Sequence, residues 1–351
     1  MKVSLDGINT IFDKIAESVL KKKVEDFFYK DFANYVSKLS DIQKELDSGA
    51  DPDDMLQEVY SISDVVVKQG DEIGLLLNDK IIIGKIKKFF REGCGQYVYQ
   101  SDIVRRAYEK PRGYSGDYLL VEYIYNNLPI SESKMGYCYD KYFLQNSYAS
   151  AIKNRKDLMR SYLVNYLSQS KREFNVLNIA CGSCREIKDL YQNFYPNLMI
   201  DNIKFTLVDQ DIEALEFSRD CLEKFKNSKF DFCNHNVLEY VRDPVRYSKI
   251  LGKQDLIYSI GLADYLPDRI LKKLINFCFK LLNTGGEILL AHKDISKYKP
   301  LAPNWWCDWT FYPRNEQYLL DLISSSIQNY NVKVEREPLK VILYLKIQKI
   351  L

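Results

Sequence analysis

Two histidines in 351 residues leave little material for a metal centre. They are His235 and His292, and the eight cysteines form one C-x-x-C pair, Cys181 and Cys184, with no second pair to complete a four-ligand site. No metal is expected. An excess of charge is also lacking: 50 Lys and Arg against 48 Asp and Glu leave +2, without the basic stripe that a nucleic-acid partner would need. No apolar window approaches the ~18 uninterrupted residues of a membrane span, and no charged-then-apolar leader opens the chain. The expectation is a cytoplasmic protein whose scattered cysteines stay thiols in a reducing compartment.

What is present is the balance of a packed globular chain, 46% hydrophobic and 28% charged. The length exceeds what one hydrophobic core usually serves, so two structural units are expected. Apolar residues between Ile8 and Val36 recur mostly at steps of three and four, which reads as amphipathic helix, and 47–54 reads as a loop around Gly49 and Pro52. The short runs 75–77 and 81–83 fit either a strand or a buried helix. Helical patterning returns over 150–167, and beyond it short β-rich runs alternate with helical stretches. Expected strands are 174–179, 204–208, 229–232, 255–260, 287–291, 332–336 and 339–347. Helices between strands indicate βαβ units in a parallel sheet, whereas the last two runs lack a helix and read as an antiparallel edge hairpin. The resulting expectation is an α/β chain with an N-terminal, mainly helical domain over 1–130 and a sheet domain over 131–351.

The local signal of most interest runs from Val176 to Glu186: an apolar strand, then Ala180-Cys181-Gly182-Ser183-Cys184, then a helix. Small residues there permit a tight turn and close backbone approach to a ligand. A plain strand-to-helix turn is the alternative. Thr206-Leu207-Val208 forms a second apolar strand ending at Asp209, and Asp211 suits the N-cap of the helix after it. A third run leads to His235-Asn236-Val237. A fourth, 255–260, leads to Gly261-Leu262-Ala263-Asp264-Tyr265, and Asn283-Thr284-Gly285-Gly286 supplies the turn before the fifth strand.

In that order and spacing these elements resemble the class I S-adenosylmethionine-dependent methyltransferases. Ala180 and Cys184 stand where many members have glycine, and Asn178 where they have Asp or Glu. Together with Arg106 to Tyr118, Gly261 to Pro267 and Asp308 to Arg314, they are similar to the bacterial group that includes proteins for biosynthesis of the extracellular factor 3-hydroxypalmitic acid methyl ester. The resemblance covers roughly 100–325. It implies a Rossmann-like, mostly parallel sheet with an antiparallel C-terminal edge hairpin, S-adenosylmethionine as cofactor with S-adenosylhomocysteine as product, and methylation, expected at oxygen, of a small organic or fatty-acid-like acceptor.

The resemblance further implies cofactor contacts at Ala180, Cys181 and Gly182, a ribose contact at Asp209 beside Gln210, an adenine contact at Asn236 beside Val237, and contacts at Ser259 and Gly261. For Asp209 the alternative is a strand-end turn acid, and for Asn236 a loop turn former. Arg155 is a candidate for the methionine carboxylate, because a guanidinium pairs such groups bidentately, with a surface arginine as the alternative. Tyr114 and Asp117, in the loop Arg112 to Asp117, are candidates for a lid over the cofactor, against a rigid interdomain turn. On the acceptor side stand Asp264, Tyr265 and His292 as candidate bases and Arg314 as the anchor for an acid. Trp305, Trp306, Trp309, Phe311 and Tyr312 are either an acceptor pocket or a core patch. Other readings are a non-catalytic cofactor-binding regulatory or scaffold module and a methyltransferase of protein or RNA. Oligomeric state is open, a homodimer included.

Overall fold

A computed structural model describes residues 8–77, 79–169, 173–194, 203–225, 229–297 and 301–350. The chain divides into two compact units: one drawn from Met1–Gly116, Asn126–Asn146 and Pro300–Thr310, the other from Asp117–Tyr125, Ser147–Lys299 and Phe311–Leu351. This differs from a single break at 130, because short segments from later in the chain complete the first unit.

The first unit is helical. Its longer helices are Ala33–Asp47, Pro52–Leu77, Lys80–Val98 and Lys134–Gln145, with Asp102–Glu109 and Leu301–Cys307 between and after them. The runs 75–77 and 81–83, ambiguous by pattern, are helical: Asp79 accepts hydrogen bonds from the backbone N–H groups of Ile81 and Ile82 and so starts the helix Lys80–Val98. Ser101 and Ser133 cap the next helices in the same way, through Val104 N and Gly136 N. The centre of the unit is aromatic. The Trp305 ring packs at 5.1 Å from Phe90 and 6.0 Å from Phe27, and Trp306 at 5.3 Å from Tyr139. A Cβ added at Gly70 would lie 2.7 Å from the Trp305 ring, so only glycine lets the helix Pro52–Leu77 approach that closely.

The second unit is built on seven strands: β1 Phe174–Ile179, β2 Ile203–Asp209, β3 Lys229–Asn234, β4 Gln254–Ser259, β5 Leu282–Lys293, β6 Tyr330–Arg336 and β7 Ile342–Lys349. Their order is β3-β2-β1-β4-β5-β7-β6. The first five run parallel, and β7 lies antiparallel between β5 and β6. This is the Rossmann-like class I methyltransferase sheet, with the antiparallel pair expected from the final two runs. β1 and β4 are buried along most of their length because helices cover both faces, which is why they read as continuous apolar runs. On one face the apolar stripe Leu271, Leu274, Ile275 and Cys278 of the helix Asp268–Leu281 packs over Leu177, Ile257, Ile288 and Leu345.

Among the described residues no helix is long and apolar enough to cross a membrane, and no group of three or more His, Cys, Asp or Glu is placed to hold a metal ion.

Candidate functional site

In an open parallel sheet, ligands sit outside the carboxyl ends of the strands where the strand order reverses. Here that point falls between β1 and β4.

After β1 the chain makes a compact loop in which three alternate residues, Ala180, Gly182 and Cys184, have left-handed backbones, with φ of 55°, 55° and 50°. Two of the three are not glycine, and each such placement costs about 1–3 kcal/mol that the surroundings must offset. The offsets are visible. Cys181 N donates to Val208 O at 3.0 Å, Cys184 N to Cys181 O at 3.1 Å, and Ser218 Oγ to Gly182 O at 2.7 Å. Gly182 N donates to the Asp209 carboxylate at 2.9 Å, and the other oxygen of Asp209 accepts from Asp211 N at 3.0 Å. Burial pushes the Asp209 carboxyl up, against these backbone donors. Asp209 thus pins the loop, and Asp211 caps the following helix through Glu213 N. Above Gly182 the space is open: an added Cβ would meet its nearest neighbour, Tyr118, only at 4.0 Å.

Asn178, the departure from the acidic residue of the motif, is buried and donates to Glu186 at 3.1 Å and to Tyr258 at 2.9 Å, while the Tyr258 hydroxyl donates to Glu186 at 2.8 Å. Burial pushes the Glu186 carboxyl up. Asn236 caps the helix Val237–Arg242 by accepting from Leu238 N at 2.8 Å, and its amide donates to Gln210 at 2.9 Å, which brings the ends of β2 and β3 together. Asp117 is buried and accepts from Leu120 N at 2.9 Å at the start of the helix Tyr118–Asn126. Tyr114 belongs to the helical unit and Asp117 to the sheet unit.

Arg155 is not at the surface. Its guanidinium is buried inside the sheet unit, 3.9 Å from where a Cβ of Gly261 would stand, just beyond β4. Among the described residues no carboxylate forms an ion pair with it, and its Nε lacks a hydrogen-bond partner. Asn178 Oδ1 and Ser259 Oγ are likewise buried without a partner. These three atoms, on β1, β4 and the helix Ser147–Gln169, depart from the rule that buried polar groups are bonded.

At the ends of β4 and β5 the charges are closely arranged. Asp264 accepts from the backbone N–H of Lys293 at 2.8 Å and from its Nζ at 2.7 Å, and lies 3.3 Å from His292 Nδ1. Burial alone would raise the Asp264 carboxyl, yet Lys293 and His292 bring it down to about 2. Burial holds Lys293 down to about 8, against the pull of Asp264. The Lys293 ammonium sits 3.4 Å over the Phe311 ring, with the rings of Tyr148 and Tyr265 at 5.0 and 5.8 Å. Sequence reasoning missed this lysine. Its signal was a charge at the end of the apolar run of β5, where a lysine must be buried if the strand continues to it.

Several acceptor-side expectations are corrected. Arg314 is buried, and all five of its donors are taken: Nε and Nη2 by Asp268, Nη1 by Ala263 O and His292 Nε2, and the second Nη2 hydrogen by Leu266 O. None is left for an acceptor's acid group. His292 Nδ1 lies 2.6 Å from Lys293 O while Nε2 faces Arg314, so the neutral tautomer with its proton on Nδ1 satisfies both nitrogens and leaves no lone pair for a base. Burial also pushes its pKa down. A carboxyl held near 2 makes Asp264 a poor base as well. Tyr265 is half-buried, its ring 5.3 Å from Phe311. The aromatic segment is divided: Trp305, Trp306 and Trp309 are buried within the helical unit, whereas Phe311 and Tyr312 belong to the sheet unit.

No protein-family profile matches the sequence, and no curated protein matches it. Among solved structures, a possible exported protein from Bordetella parapertussis is similar at 13% identity over 67% of this chain and 80% of that one, with a TM-score of 0.52. That likeness is one of fold. The CurJ carbon methyltransferase aligns over 99% of this chain and 98% of its own at 11% identity and a TM-score of 0.49. Magnesium protoporphyrin IX methyltransferase from Synechocystis PCC 6803, with S-adenosylmethionine bound, aligns over 58% and 84% at 11% identity and a TM-score of 0.41.

Proposed function

We propose that the protein is an S-adenosylmethionine-dependent methyltransferase acting at an oxygen of a small organic acid, fatty acids included. The observation that carries this reading is Arg155: a buried guanidinium beside Gly261 at the end of β4, in contact with Tyr125 but with no carboxylate ion pair among the described residues and with Nε unbonded. A buried cation is stable only when paired, and the cofactor's methionine carboxylate is the anion that fits it. The open space over Gly182 and the unpaired Asn178 Oδ1 and Ser259 Oγ fit the rest of the same ligand. Asp209 keeps lone pairs for a ribose diol while it pins the loop, and Gln210 with Asn236 and Val237 borders the adenine position. When bound, the cofactor supplies an electrophilic methyl group for in-line displacement. The chain's own task is alignment, worth several kcal/mol when reacting atoms are held in line. On the acceptor side Lys293 takes the part first assigned to Arg314. It makes one hydrogen bond to an acid, Asp264, and otherwise meets ring faces, so its ammonium can turn a donor toward an anionic acceptor. A carboxylate acceptor arrives ionised and needs no base, which agrees with the occupied state of Asp264 and His292. A cytoplasmic location is part of the same proposal.

The test is calorimetric titration with S-adenosylhomocysteine, followed by methyl transfer to a panel of carboxylic acids. Wild type should bind, and Arg155→Met should bind about 10- to 100-fold more weakly, the range for a lost charge-assisted bond. No binding by wild type would end the proposal. Binding with no transfer to any acceptor would favour a non-catalytic module.

A further inference from the structure

The helical unit carries a feature unrelated to the cofactor site. Where the helix Pro52–Leu77 ends and Lys80–Val98 begins, aliphatic side chains stand in solvent: Leu75 is 79% exposed, Ile81 72% and Leu76 52%. Globular chains seldom cluster exposed aliphatics at a helical tip without a partner. Around them are exposed lysines. Lys80 adjoins Ile81, Lys85 follows one turn later and Lys88 two, and Lys14 is exposed in the segment after the helix Asn9–Phe12. The nearby ammonium of Lys14 holds the Lys85 pKa down. No carboxylate among the described residues forms an ion pair with either. The acids close by are partly committed: Asp79 caps the helix, Glu92 pairs with Lys88 at 3.8 Å, and Glu72 is exposed one turn before Leu75.

We infer that this tip docks on an anionic lipid bilayer, with Leu75, Leu76 and Ile81 entering the headgroup boundary and Lys14, Lys80 and Lys85 meeting lipid phosphates. Three side chains at the end of two helices present far less than the ~800 Å² a side of a standard protein interface. A bilayer requires no matching surface, only apolar groups that reach the acyl boundary and cations that lie beside it.

The experiment is flotation of the full chain with phosphatidylcholine vesicles, with and without phosphatidylglycerol, alongside light scattering for oligomeric state. Wild type should float with the phosphatidylglycerol vesicles, and less so as salt rises. The triple variant Leu75→Ser, Leu76→Ser, Ile81→Ser should lose at least ~10-fold in partitioning. Lys14→Gln with Lys85→Gln should lose about fivefold per lysine, with Glu72→Gln changing in the opposite sense. Equal flotation of wild type and the triple variant overturns the inference, as does wild type that floats with neither vesicle. A wild-type dimer that the triple variant converts to monomer would assign the tip to a second copy instead.

Discussion

The two units bury different things. The helical unit encloses rings, with Trp305 and Trp306 at its centre and Arg91 and Asp140 as its buried charges; the Asp140 carboxylate accepts from Ser101 Oγ, Ile130 N and Ser131 N. The sheet unit encloses charge, with Arg155, Glu186, Asp209, Asp264, Lys293 and Arg314 gathered near the carboxyl ends of its strands. Ring burial stabilises a fold and offers no chemistry. Charge burial opposes folding unless each group is paired. It is tolerated in the sheet unit because strands ending together supply backbone donors and acceptors, as Gly182 N does for Asp209 and Ala263 O and Leu266 O do for Arg314.

This contrast can be broken most severely in the helical unit. Trp305→Ala should remove about 3–5 kcal/mol of stability, the usual loss for a buried Trp, because Phe27 and Phe90 cannot both close on the void. A denaturant melt showing a loss under ~1 kcal/mol would mean that the aromatic core is not what holds the helices.

In the sheet unit the corresponding effect depends on pH. Asp264, near 2 when folded against an ordinary 3.8, contributes stability above 3.8 that is lost as pH falls through 2. Lys293, near 8 against an ordinary 10.5, acts in the other sense: the unfolded chain retains that proton between 8 and 10.5, so a penalty present below 8 fades as pH rises through 10.5. Denaturation across the pH range should show both limbs. Lys293→Met should abolish the alkaline rise and make the neutral-pH protein less stable, since Asp264 is then buried with its main cation gone. An unchanged alkaline limb would assign that proton elsewhere.

The smallest expected effect lies in the loop after β1. Ala180→Gly and Cys184→Gly relieve left-handed strain but free the unfolded chain, two terms of about 1 kcal/mol each that nearly cancel. Stability should therefore move by less than ~1 kcal/mol and affinity for S-adenosylhomocysteine should hold. A marked fall in affinity would show that these side chains, and not only their backbones, shape the loop.

Much of the sheet unit was legible before any coordinates. Apolar runs ending in small or acidic residues marked β1, β2 and β4, because a parallel strand covered on both faces must be apolar throughout and its ligand-facing end must turn tightly. Pattern was silent where a residue's fate depended on a distant neighbour. Arg314 reads as a free anchor beside Tyr312 until Asp268, Ala263, Leu266 and His292 arrive to take every donor. Trp305 and Phe311 stand six residues apart and serve different units. The sequence by itself determined the succession of strands and the loop that departs from glycine at 180 and 184, since hydrophobic period and turn chemistry are local properties. Only the tertiary structure decided which charges are paired and which, like Arg155, form no ion pair with a carboxylate among the described residues, because pairing in a protein interior is set by groups that lie close in space and far apart along the chain.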